Sequence, residues 1–102
     1  MQIIEERKEH TVILGVSGRI DVNAAETLAQ ELGKAIPVPV IWKIVLDLSA
    51  VDYISSAGIR VLLSAHKKMK ENREFVIKNP SPFCKQVFEV TGADIFLKIE
   101  YA

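Results

Sequence analysis

The chain has 102 residues, 49% of them hydrophobic and 25% charged, the length and composition of one ordinary globular domain. Thirteen basic residues balance thirteen acidic ones, so the chain lacks the positive excess that non-specific nucleic-acid binding requires, and no nucleic-acid partner is expected. A lone cysteine, Cys84, rules out a disulfide framework, and a chain of this size can build its core without disulfides or metal.

The segment Met1–His10 has no apolar run ahead of a small-residue cleavage site and carries acids where a secretory leader has none, so a cytoplasmic protein is expected. The apolar runs Ile36–Trp42 and Ile44–Leu46 fall far short of the roughly 20 residues of a membrane helix, which argues against a membrane partner. Ile4–Arg7 and Thr11–Val16 read as an antiparallel hairpin, with Val12, Leu14 and Val16 on the better-buried face and Gly18 ending the second strand. Asn23 reads as a helix N-cap with Glu26 as its capping-box acid. Ala25, Leu28, Leu32 and Ala35 follow at helical spacing until Pro37.

The two prolines in Ile36–Trp42 predict an extended connection lying against the body. Ile44–Leu48 is almost continuously aliphatic and predicts a central strand covered on both faces. From Ala57 the period becomes helical, with Ile59, Leu62, Leu63, His66 and Met69 on one stripe. Lys67, Lys68 and Lys70 are cations of the kind a helix C-terminus favours, so they read as a solvated face. Glu74–Lys78 is a strand, after which Ser81 and Pro82 open a helix. Its apolar face is read as Phe83, Val87 and Val90 with Phe88 beside them, and Gly92 closes it. Ile95–Ile99 is the last strand. The expectation is a single α/β domain over residues 1–102, in the order β-β-α-β-α-β-α-β, with a mixed, mostly parallel sheet and an N-terminal antiparallel hairpin.

Between Leu46 and Arg60 a buried strand runs through a short loop into a helix, and the carboxyl end of a parallel strand is where open α/β sheets place function. Ser55 and Ser56 stand where that helix begins. Two readings hold for them: capping of the first-turn amides alone, or a site whose free amides and positive helix end tolerate a phosphate.

The run Asp47-Leu48-Ser49-x-Val51-x-Tyr53-Ile54-Ser55-Ser56-Ala57-Gly58-Ile59-x-Val61-Leu62 resembles the signature of the STAS domains of bacterial anti-sigma factor antagonists, as does Gly18-Arg19-Ile20-Asp21. The resemblance covers essentially the whole chain and implies the STAS fold. It also implies a role in sigma-factor and transcription regulation, by binding an anti-sigma factor that is a serine kinase of GHKL-type ATPase fold. Phosphorylation of a serine would switch the protein off, and a phosphoserine phosphatase would restore it. The family's acceptor is the serine two residues before the glycine, which is Ser56 here. Two departures stand beside it: Ser55 replaces a frequent aspartate and Ala57 a frequent serine. Partner contacts are expected from Asp21, Ser55, Ser56, Ala57, Gly58 and Arg60, with Ala57 and Gly58 small enough for close backbone approach. Asp21 reads equally as a solvated acid ahead of its helix.

Competing chemistry finds little support. A serine hydrolase acting through Ser55 or Ser56 lacks the nucleophile elbow, because Tyr53 or Ile54 fills the preceding glycine position, and the candidate bases are His10 and His66 alone. No phosphate-binding glycine loop, dinucleotide fingerprint or metal-ligand cluster is present, so neither catalysis nor a cofactor is expected. Cys84 is expected to be buried as a small hydrophobe. The alternative function is a STAS module of a stressosome or lipid-transport complex with no sigma-factor role.

Overall fold

In the computed structural model, which describes residues 1–69 and 72–102, strand β1 (Gln2–Lys8) pairs antiparallel with β2 (Thr11–Ile20). Helix α1 (Val22–Ala35) carries the chain to β3 (Lys43–Ile54), and α2 (Ser56–Lys68) carries it to β4 (Glu74–Lys78). Helix α3 (Pro82–Thr91) and the short α4 (Ala93–Phe96) lead to β5 (Lys98–Glu100). The five strands lie in the order β1-β2-β3-β4-β5, antiparallel at the first pairing and parallel at the other three, as the element order predicts.

Strands β2 to β5 are neighbours in chain order, so right-handed crossovers that always step the same way lay their helices on one face. Val12, Leu14 and Val16 of β2 and Ile44, Leu46 and Leu48 of β3 therefore share one core with Leu28, Leu32, Leu62 and Phe88. The expectation that β3 is covered on both faces is corrected. On the opposite face Val45 and Val76 are buried within their row, but Ile13, Asp47 and Lys78 around them are half-buried and Lys98 and Glu100 are exposed.

Strand β2 does not end at Gly18. Gly18 stays in the strand at φ 91, a left-handed conformation suited to glycine, and a Cβ there would lie 3.3 Å from the Met1 Cα. Because the strand reaches Ile20, the first residue free to cap is Asp21 rather than Asn23. Its Oδ1 accepts the Ala24 N–H at 2.8 Å, and Asn23 lies inside the helix.

The Ile36–Trp42 connection lies against the body but is not extended. It makes two turns, Val38 N–H to Ala35 O and Ile41 N–H to Val38 O, and buries Ile41 completely. Arg73 holds it by donating Nε to Ile41 O at 3.1 Å and Nη2 to Ile36 O. Trp42 remains exposed and stacks on the His10 ring with centroids 3.7 Å apart. Arg73→Ala leaves two carbonyls without their charged donor, an expected cost of about 2 kcal/mol. For a domain of this size that lowers Tm by about 10 °C in thermal denaturation. Arg73→Lys, a point charge without the fork, should recover part of the loss.

Helix α3 starts and ends as predicted, with Ser81 Oγ accepting the Cys84 N–H at 3.2 Å and Gly92 in the left-handed conformation at φ 78. Its inward face is different: Cys84 and Phe88 are buried, whereas Phe83 and Val90 are exposed and Val87 is half-buried. Two adjacent stripes were equally periodic, and contact of Cys84 with the end of β3, Sγ to Val51 O at 4.0 Å, selects between them. Ile95 and Phe96 belong to α4 and face solvent, so the last strand begins at Lys98. On α2, Ile59, Leu62 and Ala65 are buried with Met69 at the C-cap, while Leu63 and His66 are half-buried. Lys67 and Lys68 are exposed, and Lys70 lies outside the described residues. No helix among the described residues is long and apolar enough to cross a membrane.

Candidate functional site

The site forms where β2 and β3 end side by side. Strand β3 runs through to Ile54, so the expected loop before α2 shrinks to Ser55. Between Gly15 and Arg19 the pairing shifts register twice, leaving extra residues on β3, and Asp47 Oδ1 accepts the Ser49 N–H at 2.9 Å at the first shift. These bulges bring Arg19 opposite Tyr53 and Ile20 opposite Ile54. The Ser55 N–H then donates to Ile20 O at 2.8 Å, tying the entrance of α2 to that of α1.

The two serines separate at this point. Ser55 is the N-cap, with extended backbone, and its Oγ accepts the Gly58 N–H at 3.2 Å; the residue is only 9% exposed. Ser56 is the first helical residue. It is exposed, and its hydroxyl makes no hydrogen bond to a described side chain or backbone group. The opening amides of a helix have no intrahelical partner, so Ser56 stands at the positive end of α2.

Asp21 is exposed at the head of α1, with its carboxylate engaged as that helix's cap. Ala57 is half-buried and packs partly on the core, and Arg60 is exposed one turn down α2. Gly58 is buried. A Cβ there would sit 2.7 Å from Ile54 Cγ1 and 2.9 Å from Ile20 Cγ2, so the missing side chain lets α2 close onto the strand ends. Asp21, Ser56, Ala57 and Arg60 thus reach the surface, while Ser55 and Gly58 hold it from beneath.

Residues beside this patch went unassigned from sequence. The Arg19 guanidinium lies 4.2 Å from the centre of the Tyr53 ring, and Tyr53 packs against Phe83 of α3 at 5.6 Å. Their meeting depends on the bulged register, which no periodicity encodes. Neither histidine approaches Ser56. His10 is in the turn at the opposite end of β2, and His66 lies ten residues along α2, about 15 Å. Among the described residues no group of acids, histidines and cysteine could hold a metal ion.

Cys84 lies below the patch, and burial pushes its thiol pKa above the ordinary value despite the hydrogen bond with Ser81. The thiol therefore stays protonated at neutral pH. Alkylation should proceed much more slowly in the native protein than in denaturant, as followed by mass spectrometry over time.

The sequence profile of the STAS domain matches residues 2–102. BtrV of Bordetella bronchiseptica, named an anti-sigma factor antagonist, is 32% identical over 93 residues, covering 90% of this chain and 79% of that protein. The crystal structure of an anti-sigma factor antagonist from Mycobacterium paratuberculosis superposes with TM-score 0.87 at 26% identity, covering 96% of this chain and 83% of that one. SpoIIAA of Bacillus matches at 20% identity over 99% of this chain. Its unphosphorylated form gives TM-score 0.84 over 88% of its length and its phosphorylated form 0.78 over 91%. The five-stranded mixed sheet, the two capped helix entrances at adjacent strand ends and a profile match spanning nearly every residue lead to one conclusion: this chain belongs to the STAS domain family.

Proposed function

We propose that this STAS domain is an anti-sigma factor antagonist, a cytoplasmic binding protein rather than an enzyme. It engages a serine-kinase anti-sigma factor and releases the sigma factor that kinase holds. The patch of Asp21, Ser56, Ala57 and Arg60 docks on the kinase, which phosphorylates Ser56 and thereby ends the contact. A phosphoserine phosphatase returns the protein to its binding form. One observation carries this reading: of two adjacent serines at the α2 entrance, Ser55 spends its hydroxyl on the helix cap and Ser56 presents an exposed one with no hydrogen-bond partner among the described residues. The antagonist names of BtrV and of the Mycobacterium paratuberculosis protein support it.

The physical logic is asymmetric between the free and the bound protein. Phosphate adds a charge of about −1.5 to −2 and three acceptor oxygens. In the free domain the positive end of α2 stabilises that charge, so the fold survives. In a close interface the dianion is desolvated, and the complex weakens unless the partner supplies cations to meet it.

The test is phosphopeptide mass spectrometry after incubation with the cognate GHKL-type kinase and ATP. One phosphate on Ser56 is expected. Ser55→Ala removes the cap, at a cost of about 1 kcal/mol, yet should still be phosphorylated on Ser56. Modification confined to Ser55, or none at all, would overturn the reading.

A further inference from the structure

Gly33 stands in the body of α1, where glycine is about 1 kcal/mol worse than alanine. Its φ is not positive, and a Cβ built on it would meet nothing within 4 Å. Nothing inside the protein calls for glycine at this position. What its small size preserves is an open trough of about 490 Å³ between α1 and α2.

The trough has two unlike sides. Its floor is aliphatic, built from Leu32 and Ile36 of the α1 side and Val61 and Ala65 of α2. Along its α2 rim run Arg60, Ser64 and Lys68, at successive i, i+4 positions over about 12 Å. Two cations and a hydroxyl thus line one edge, and no carboxylate among the described residues lines the trough. Arg60 makes no ion pair with a described residue. A cavity of this volume, mostly apolar with a few polar groups placed at its edge, has the make-up of a small-ligand site.

We propose that this trough binds a free medium-chain fatty acid as its carboxylate. Arg60 and Ser64 donate to the carboxylate, the chain lies along Leu32, Ile36 and Val61, and Lys68 adds to the positive potential of the rim. The donor rim selects an anion, the guanidinium fork suits a carboxylate, and the long aliphatic floor selects a chain over a flat ring. This binding goes beyond the kinase switch and is tested without the kinase, although Arg60 also stands in the patch that docks on it.

The test is a titration of the isolated 102-residue chain with sodium decanoate below its micelle concentration, followed by amide chemical shifts. Saturable shifts at Ala29, Gly33 and Ser64 are expected. Arg60→Gln should weaken binding about tenfold, the effect of losing one charge-assisted contact. Gly33→Leu should abolish it while raising Tm, because leucine is the better helix former and enters open space, so unfolding cannot explain the loss. Decyltrimethylammonium, with the same chain and the opposite charge, should leave these amides unmoved. Absent saturation, an equal response to the cationic amphiphile, or unchanged decanoate affinity in Gly33→Leu would each overturn the proposal. So would loss of protein-partner binding in Gly33→Leu without any decanoate response, which would give the trough to a partner's helix.

Discussion

Ser56→Asp is expected to lower affinity for the kinase about a hundredfold while leaving the thermal transition where it is. The two halves of that result have separate causes. An aspartate in the first turn of α2 adds negative charge at the positive helix end, where it is neutral to mildly stabilising for the fold. In the complex the same carboxylate must give up its water, and a penalty of about 3 kcal/mol suffices for the hundredfold change. Ser56→Ala, which adds no charge, should bind as the unmodified protein does and resist release by ATP. Titration calorimetry on the three proteins separates these outcomes, and equal affinities for all of them would remove electrostatic exclusion as the basis of the switch.

Gly58→Val should cost about 3 kcal/mol of stability, the upper end of what overpacking a filled site costs. In a domain of about 100 residues this lowers Tm by about 15 °C. The contact distances of 2.7 and 2.9 Å involve Ile54 and Ile20, both buried at the strand ends, so α2 must lift away from the sheet to admit any side chain. Gly58→Ala should lose less, because a single methyl needs a smaller shift. Denaturation midpoints read this directly. A Gly58→Val protein of unchanged Tm that fails to bind the kinase would show that the glycine serves the partner instead of the core.

How much of this was legible in the sequence differs from element to element. Local chemistry placed the serine and proline that open α3, the left-handed glycine that closes it, and the alternation that buries Val12, Leu14 and Val16. Those signals are complete within a few residues. The cap of α1 was misplaced at Asn23 because the start of that helix depends on where β2 stops, which is settled by pairing with β3 and its bulges. The inward face of α3 was misjudged for a related reason. Stripes through Phe83 and through Cys84 are equally apolar, and the choice belongs to the neighbouring strand.

The candidate site divides in the same way. Residue order alone marked a strand-to-helix junction with two hydroxyls, and the motif around it singled out Ser56. Which hydroxyl is spent on the cap, that Gly58 faces inward, and that Arg19, Tyr53 and Phe83 pack together beside the patch are decided by the tertiary structure. By itself the sequence determined the main elements other than α4, their order and the chemistry available at the α2 entrance, because propensity, capping and periodicity act over a few neighbouring residues. Only the folded sheet decided which of those groups point to solvent, because register and burial arise from contacts between segments distant along the chain.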